Sequence, residues 1–328
     1  MQEPSVSVAM SVYNAERFLD EAVASVRAQT FADFEFLILD DGSRDGSAAI
    51  IDRHAREDGR IRVISRENRG LVASLNELIA AARAPLLARM DADDVCEPNR
   101  FERQVAFLAD NPAYGVVGSW TWNIDAEGNH RPTEGGEQPQ THEEFLAQIG
   151  KGPLLCHPTA MIRTGLLRRL GGYHAAFAHC EDFDLWLRLA SLTRIGNIPE
   201  RLLRYRHYEN QVSTRHAMGQ RIGAAIALVA WEERCGGRTD PSGAWSALPP
   251  LRNLDAEFGT PGIARRVRAR VAPELLYVPE ALRGEGLRII LDYLAEGGGN
   301  EGMWRTVARL VKLGHPVRAA RLAMALAA

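Results

Sequence analysis

Several features that would mark a specialised class of protein are missing from this 328-residue sequence. It has only four cysteines, Cys96, Cys156, Cys180 and Cys235, with no C-x-x-C pair, so they indicate neither a disulfide framework nor a structural zinc site. No run of 18 or more apolar residues predicts a membrane-spanning helix, and no secretory signal pattern precedes the first strand-like segment. We therefore expect a cytoplasmic protein that is neither secreted nor membrane-spanning.

A strong net charge is also missing. The formal charge of −3 gives no general attraction to nucleic acid, so we expect no nucleic-acid partner. The charge is nevertheless uneven, because residues 251–328 carry 12 Arg or Lys against 8 Asp or Glu, whereas residues 1–250 carry 27 against 34. With 46% hydrophobic and 25% charged residues, the chain has the composition of one large globular domain or a domain with an extension.

The first 90 residues alternate between strand-like and helix-like segments. The apolar run "SVSVAMSVY" (5–13) is followed by helical periodicity in "NAERFLDEAVASVRAQ", and "FEFLILDDGS" is typical of a buried strand that ends in a turn. Further along we predict a helix near 45–57, a strand at 62–65, a helix near 70–83 and a strand at 85–90. This order predicts a parallel sheet with helices on both faces.

Acidic residues cluster where these strands end. Asp40 and Asp41 follow the second strand, and "RMDADD" places Asp91, Asp93 and Asp94 after the strand at 85–90. Ligands of parallel sheets bind at the carboxyl ends of the strands, so these carboxylates are expected to share one edge. Their mutual repulsion must raise their pKa values or be neutralised by a cation.

The D-x-D pattern offers two carboxylates to one cation, as Mg²⁺ or Mn²⁺ bound with substrate phosphates would require. Taken alone, each acidic turn is equally well explained as a solvated turn at a strand end. An EF-hand calcium loop is excluded, because the sixth position counted from Asp91 is Cys96 and that loop needs glycine there.

Beyond residue 113 the sequence gives fewer indications of individual strands and helices. "RPTEGGEQPQ" (131–140) predicts a mobile loop, residues 153–213 form a second block that contains "HPTAMIR", "CEDFDLWLRL" and "YRHYENQVS", and the pattern from 214 onward is helical.

Several of these segments, in this order, resemble the family 2 glycosyltransferases: residues 5–47 with "LDDGS", then "ENRGLVASLN", "ARMDADD" and "CEDFDLWLRL". The resemblance implies a GT-A fold, a Rossmann-like α/β architecture with a doubly wound, mainly parallel sheet, and a C-terminal helical extension. It implies a glycosyltransferase domain at 1–213, with a nucleotide-sugar half at about 1–125 and an acceptor half at about 150–213. The extension at 214–328 receives no assigned role.

In that family the ends of the first two strands hold the nucleotide of the sugar donor, most often uridine diphosphate. Carried onto this chain, Tyr13 would stack on the base and Asp41 would accept a hydrogen bond from its N–H, with Asp40 close by. Asn68 and Gly70 would help to shape the nucleotide pocket, although Gly70 is equally explained as a helix-entry glycine.

The resemblance also implies a metal site. Asp91 would contact ribose and metal, Asp93 would coordinate a Mg²⁺ or Mn²⁺ ion that bridges the diphosphate, and Asp94 would support both. Arg89 is expected either to contact the donor or to form an ion pair with its acidic neighbours. The family's usual histidine position is occupied here by Tyr208, and His207 stands one residue earlier, which in an extended chain turns its side chain to the opposite face. His207 is therefore a weaker candidate metal ligand.

The pair Glu181 and Asp182 matches the family's catalytic position, with Asp182 as the base. An equally simple explanation for both is the N-terminus of a helix, where carboxylates are favoured by the helix dipole. His157 and Trp186 are candidates for the acceptor side.

The sequence thus predicts an inverting glycosyltransferase that uses a nucleotide-sugar donor and a saccharide or glycolipid acceptor, as in surface polysaccharide synthesis. Two alternatives stay open: a sugar-phosphate nucleotidylyltransferase, against which the glycine-free segment after the first strand argues, and an inactive nucleotide-sugar binding module. The basic, helical segment 214–328 would suit peripheral membrane association at the inner face, a homodimer contact or a solvated surface.

Overall fold

The computed structural model of the chain describes residues 3–131, 137–151, 154–209 and 217–327. They divide into two compact units, Met1–His174 with Leu185–Gln211, and Ala175–Asp184 with Val212–Ala328. Within the described ranges, no helix is long and apolar enough to cross a membrane.

The first unit is built on an eight-stranded mixed sheet in the order β3-β2-β1-β4-β7-β6-β8-β5. The strands are Val6–Val12 (β1), Phe34–Asp40 (β2), Ile61–Ser65 (β3), Leu86–Met90 (β4), Val95–Cys96 (β5), Tyr114–Ile124 (β6), Met161–Arg163 (β7) and Arg194–Arg206 (β8). The helices are Glu16–Arg27 (α1), Ser47–Glu57 (α2), Leu71–Ala81 (α3), Arg100–Asp110 (α4), His142–Gln148 (α5), Thr164–Arg169 (α6) and Glu181–Ala190 (α7), whose first residues belong to the second unit.

The strands β1 to β4 pair in parallel, as the alternation in the sequence predicts. The remainder of the sheet is mixed, because the short strand β7 runs antiparallel to both β4 and β6, while β6 and β8 are parallel. The mainly parallel sheet is thus confirmed for the half that carries the acidic turns. The loop predicted at 131–140 cannot be compared in full, since residues 132–136 lie outside the described residues.

The core of this unit explains the apolar patterns. β2 is buried along its whole length. One stripe of side chains on α1 is buried against the sheet, and it consists of Phe18, Leu19, Ala22, Val23 and Val26. Because these positions recur every three or four residues, one helix face is apolar and the other is solvated. The packing holds the carboxyl ends of β1 and β2 in fixed positions.

One polar group interrupts the buried strand β2. Glu35 is 3% exposed and accepts hydrogen bonds from the Ser7 hydroxyl opposite it on β1, from the Arg83 backbone N–H, and from the Arg62 and Arg83 guanidinium groups. Burial alone raises the pKa of Glu35, but the hydrogen bonds from Ser7, Arg83 and Arg62 outweigh it and lower the pKa below its usual value.

The second unit is helical among the residues described. Besides the first turn of α7, its helices are Ala217–Cys235 (α8), Leu254–Phe258 (α9), Ile263–Leu275 (α10), Pro279–Leu282 (α11), Glu285–Ala295 (α12), Met303–Lys312 (α13) and Pro316–Ala327 (α14). Glu233 of α8 is fully buried between Arg238 and Arg266, and hydrogen bonds from those two side chains lower its pKa to about 2. The helical extension expected from 214 onward is present, while the predicted boundary at 213/214 stays a prediction.

We predict that Glu35→Gln lowers the free energy of unfolding at pH 7 by about 1–3 kcal/mol, because charge-assisted hydrogen bonds are lost inside the sheet. Since the folded pKa of Glu35 is depressed, its contribution is complete above the unfolded value of about 4.5 and is lost as the pH falls through the folded value. Urea unfolding at pH 7 and pH 3 tests this. A stability difference that stays constant between the two pH values would contradict it.

Candidate active site

The acidic turns meet because of the strand order. β1 lies between β2 and β4, with Val12 paired to Asp40 and Met10 paired to Met90. Three parallel strands therefore end at the same edge, and the segments that follow them, 13–16, 41–46 and 91–94, begin side by side. This is the edge at which parallel α/β sheets bind ligands.

The segments after β1 and β2 are joined by direct hydrogen bonds. Asn14 adopts a left-handed backbone (φ 49°), its N–H donates to the Ser43 hydroxyl (3.0 Å), and its side-chain oxygen accepts from the Arg44 N–H (2.8 Å). Tyr13 lies directly before this junction and is 52% exposed, so its ring has a free face in this structure. The stacking role of Tyr13 stays a prediction.

Asp41 is a buried clamp. Its N–H donates to the Val12 carbonyl, and its carboxylate accepts from the backbone N–H groups of Arg69 (2.9 Å) and Gly70 (2.8 Å) while pairing with the Arg66 guanidinium. The carboxylate thereby fixes the start of α3 to the end of β2, as an acceptor at a helix N-terminus does.

Asp40 is used differently. One oxygen accepts from the Ser43 N–H (3.0 Å), and the other has no partner among the residues the structure describes. Of the two predicted nucleotide carboxylates, Asp40 is therefore the one with an oxygen left for a ligand.

The residues of "ENRGL" lie against this turn. Gly42 has a positive φ of 77°, and a Cβ on it would stand 2.8 Å from the backbone nitrogen of Asn68. Only glycine permits both the conformation and the close approach. The Asn68 backbone is thus brought beside the acidic turn, and its exposed side chain is available at the surface, while Gly70 (φ 86°) begins α3.

The second acidic turn gathers three carboxylates. Oxygens of Asp91, Asp93 and Asp94 lie within 4.8 Å of one another, as ligands of one cation would. Burial and the neighbouring charge of Asp91 raise the pKa of Asp93 to about 6, and burial with both neighbours raises the pKa of Asp94 well above its usual value.

The buried guanidinium of Arg89 compensates part of this charge. Arg89 is 1% exposed and forms an ion pair with Asp91, which is the second of the two roles expected for it. Its backbone carbonyl accepts a hydrogen bond from the buried Arg100 side chain (2.7 Å), which fixes the backbone near the end of β4.

Asp94 ties the turn to the last strand. Its Oδ1 accepts from the Arg206 N–H (2.8 Å), and the Arg206 Nε donates back to the Asp93 carbonyl (2.8 Å). The Oδ2 atom of Asp94 is buried and has no hydrogen-bond partner within the described ranges. A buried carboxylate oxygen without a donor is costly unless a cation occupies the site, so the donor set fits Mg²⁺ or Mn²⁺.

Tyr208 is a site residue that sequence reasoning did not select. Its hydroxyl donates to Asp93 Oδ2 (2.9 Å), and its ring contacts Phe18 of α1 at 5.0 Å between centroids. The signal was present, because Tyr208 occupies the position at which the family usually has histidine.

His207 instead contacts the Asn123 side chain (2.8 Å), and the three-carboxylate cluster does not include it. The structure thus gives His207 no contact with Asp93, and Gln211 and Ser213 of the same motif lie outside the described residues.

The pair Glu181 and Asp182 forms the first turn of α7 in the second unit. Asp182 Oδ1 accepts from the Phe183 N–H (2.7 Å), and Glu181 is buried. Burial and the charges of Asp182, Glu181 and Asp184 raise the pKa of the Cys180 thiol. The helix N-terminus anticipated as a structural explanation is present, and the catalytic role of the pair stays a prediction.

The two acceptor-side candidates pack together in the first unit. The His157 Nε2 contacts the Tyr173 hydroxyl (2.7 Å), and its ring meets Trp186 edge-on at 5.9 Å. Desolvation together with the charge of Arg89 lowers the pKa of His157 well below its usual value, so this imidazole is neutral at pH 7. Trp186 is only 2% exposed, which leaves it little surface with which to contact an acceptor.

Comparison with known proteins identifies the family of the chain. The family model described as Glycosyl transferase family 2 matches residues 7–171, half of the chain. EpsE of Bacillus subtilis (strain 168) is 37% identical over 190 residues, which cover 56% of this chain and 66% of that protein. The O-antigen biosynthesis glycosyltransferase WbnJ of Escherichia coli is 30% identical over 227 residues, which cover 68% of this chain and 87% of that protein.

Solved structures agree in fold. TarS 1–349 of S. aureus in complex with UDP-GlcNAc superposes with a TM-score of 0.60 at 17% identity, over 97% of this chain and 88% of that chain. The mannosyltransferase PcManGT from Pyrobaculum calidifontis, in complex with GDP-Man and Mn²⁺, gives 0.53 at 18% identity, over 100% and 87%. The fold is thus of the GT-A type. With the sequence family matched across the strands and acidic turns described above, the chain belongs to glycosyltransferase family 2.

Proposed function

We propose that the protein is a metal-dependent, inverting glycosyltransferase that moves a sugar from a UDP-sugar to a hydroxyl of a saccharide or lipid-linked acceptor. The observation that carries the proposal is the turn after β4, where three carboxylates converge beside the ends of β1 and β2. The setting proposed is cytoplasmic synthesis of a surface polysaccharide, supported by the O-antigen biosynthesis named for WbnJ.

The metal ion would be held by Asp93 and Asp91, with Asp94 beside them. Bound there, Mg²⁺ or Mn²⁺ would neutralise the charge that grows on the diphosphate leaving group as the glycosidic bond breaks. The complex of PcManGT with GDP-Man and Mn²⁺ supports a metal of this kind in a protein of the same fold. Arg89 limits the repulsion within the carboxylate cluster through its ion pair with Asp91.

The nucleotide would lie across the ends of β1 and β2. We assign the base contact to the free oxygen of Asp40 and the exposed ring of Tyr13, with Asn68 at the rim. Asp41 receives a positioning role instead, because both of its oxygens are occupied by backbone N–H groups at 69 and 70. The complex of TarS with UDP-GlcNAc supports a uridine donor for this fold.

The acceptor hydroxyl needs a base, since its proton must leave as the oxygen attacks the anomeric carbon. We assign that role to Asp182, with Glu181 as its neighbour. Because the leaving diphosphate needs no protein acid, one carboxylate suffices, and attack from the opposite face inverts the anomeric carbon. A glycosidase would need a second carboxyl group that flanks the scissile bond.

The family assignment favours this reaction over nucleotidylyl transfer, the alternative raised by the acidic α/β sheet. Nucleotidylyl transfer would also need a glycine-rich phosphate loop after β1, and residues 13–18 contain no glycine.

The first prediction concerns the metal. Calorimetry with UDP and GDP is expected to show UDP binding that requires Mn²⁺ or Mg²⁺, and Asp93→Asn should weaken it by more than roughly 100-fold, since a ligand carboxylate is removed. Asp110→Asn, an equally conservative change at the exposed end of α4, is the control and should leave binding unchanged. Folded wild-type protein that binds neither nucleotide would refute the donor assignment and favour an inactive module.

The second prediction concerns Tyr208. Tyr208→Phe keeps the ring contact with Phe18 but removes the hydrogen bond to Asp93, so the apparent affinity for Mn²⁺ in the presence of UDP should fall by about tenfold. Thermal stability should stay close to wild type. If Mn²⁺ titration gives the same affinity for both proteins, Tyr208 does not position the metal ligand.

The third prediction separates chemistry from binding. Asp182→Asn is expected to bind UDP and Mn²⁺ like the wild type and to lower the transfer rate at saturating donor by about 10²–10⁴-fold. UDP release in the presence of an active acceptor measures the rate. If Asp182→Asn loses as much donor affinity as Asp93→Asn, the assignment of Asp182 as the base is contradicted.

A further inference from the structure

Exposed apolar side chains are concentrated in one short part of the second unit. Five of the twelve large hydrophobic residues exposed in the described structure lie between 302 and 327, namely Trp304, Val311, Leu313, Val317 and Met324. Val317 and Met324 are 70% and 65% exposed. Scattered exposed apolar residues are ordinary, but such a cluster marks an interaction surface.

The cluster belongs to a helical hairpin formed by α13 (Met303–Lys312) and α14 (Pro316–Ala327), which pack against each other. The turn between them is closed by backbone hydrogen bonds from Gly314 to Val311 (3.0 Å) and from His315 to Leu310 (2.9 Å). Gly314 has a positive φ of 78°, as the left-handed residue of such a helix end requires. The hairpin is therefore a defined element.

Both helices carry exposed apolar side chains outside their own packing face. In α13 the buried positions are Met303, Thr306 and Leu310, whereas Trp304 and Val311, seven residues apart, share a different side that is exposed. This stripe faces solvent although burial would be favourable.

The second helix repeats the arrangement. In α14, Ala319 and Leu322 are buried, and Val317 and Met324, also seven residues apart, share an exposed side. Burial of side chains of this size is favourable, so two exposed apolar stripes side by side in the sequence indicate a missing partner.

The charge of the same segment indicates what the partner is. Residues 302–327 contain five Arg or Lys and no Asp or Glu. Arg305 and Lys312 flank the stripe of α13, Arg321 lies beside that of α14, and none of the three forms an ion pair among the residues described. An apolar stripe bordered only by cations fits a surface that is apolar inside and anionic at its rim.

We propose that the hairpin 302–327 docks this protein on a membrane surface rich in anionic phospholipid. Trp304, Val311, Val317 and Met324 would enter the boundary between headgroups and acyl chains, and Arg305, Lys312 and Arg321 would contact lipid phosphates. The helices of 10 and 12 residues rise about 15 and 18 Å, roughly half of a hydrocarbon core, so they lie along the interface. The inference goes beyond the proposed sugar transfer and does not depend on the donor.

A second copy of the chain is a poorer occupant. A two-fold contact would bring the same basic positions of both copies together, with no carboxylate in the segment to neutralise them. Anionic lipid supplies the missing negative charge.

The test is co-sedimentation of the full chain with vesicles of phosphatidylcholine alone or mixed equally with phosphatidylglycerol. We expect binding to the mixed vesicles that weakens at high salt. The double variant Arg305→Glu with Lys312→Glu should lower the vesicle partition coefficient by at least roughly 30-fold, because the attraction of two basic side chains to anionic lipid is lost. Val317→Ser with Met324→Ser should lower it at least about tenfold, because two apolar anchors are lost.

The matched control is Arg283→Glu with Arg288→Glu, which makes the same change in net charge at exposed positions outside the hairpin and should alter binding by less than about threefold. All variants change exposed side chains, and circular dichroism checks that they are folded. Wild-type protein that ignores mixed vesicles, or a control that loses as much binding as the hairpin variant, overturns the proposal. It is also overturned if sedimentation equilibrium shows a dimer that the hairpin variants dissociate, since a second copy would then cover the stripes.

Discussion

The site depends on gathering negative charge at the end of β4. Three carboxylates in four residues would repel one another and push the turn apart, yet each is held in place by a different neighbour. Arg89 pairs with Asp91, Tyr208 donates to Asp93, and the Arg206 N–H donates to Asp94. These contacts fix the geometry, but burial, together with the charges of neighbouring carboxylates, still raises the pKa values of Asp93 and Asp94. The turn is therefore held in a conformation in which oxygens of three carboxyl groups lie within 4.8 Å of one another.

The strand order of the mixed sheet brings the partners in these contacts together. β1, β2 and β4 deliver their turns to one edge, while β8 arrives from the far part of the sheet with Arg206 and Tyr208 at its end. Asp41 performs the equivalent task at the end of β2, which it joins to the start of α3. Both devices use a buried carboxylate to hold backbone N–H groups that are distant in sequence, so the pocket is shaped by long-range contacts.

The local part of this architecture could be predicted from the sequence. β1, α1 and β2 follow from apolar periodicity, and the acidic turns follow from the rule that parallel strands present ligand sites at their carboxyl ends. β8 could not be recognised, because "RIGNIPERLLRYR" contains Pro199, a buried Asn197 and shifts of register against β6, which break the alternation expected of a strand. Nor could the sequence show that Asp41 is already occupied by N–H groups 28 and 29 residues away. The position of Tyr208 in the motif was the available signal, and the one-residue shift that weakened His207 as a candidate ligand agrees with its contact to Asn123.

The division of the chain also has a consequence for how the protein is made. Residues 175–184, which hold Glu181 and Asp182, belong to the helical second unit, and Gly223 of α8 approaches Cys180 so closely that a Cβ would stand 2.4 Å from its Sγ. The segment that carries the candidate base therefore leaves the ribosome well before the helix it packs against. A nascent chain that has completed residues 1–174 must add α8 before this segment can pack, so the order of translation delays the folding of residues 175–184.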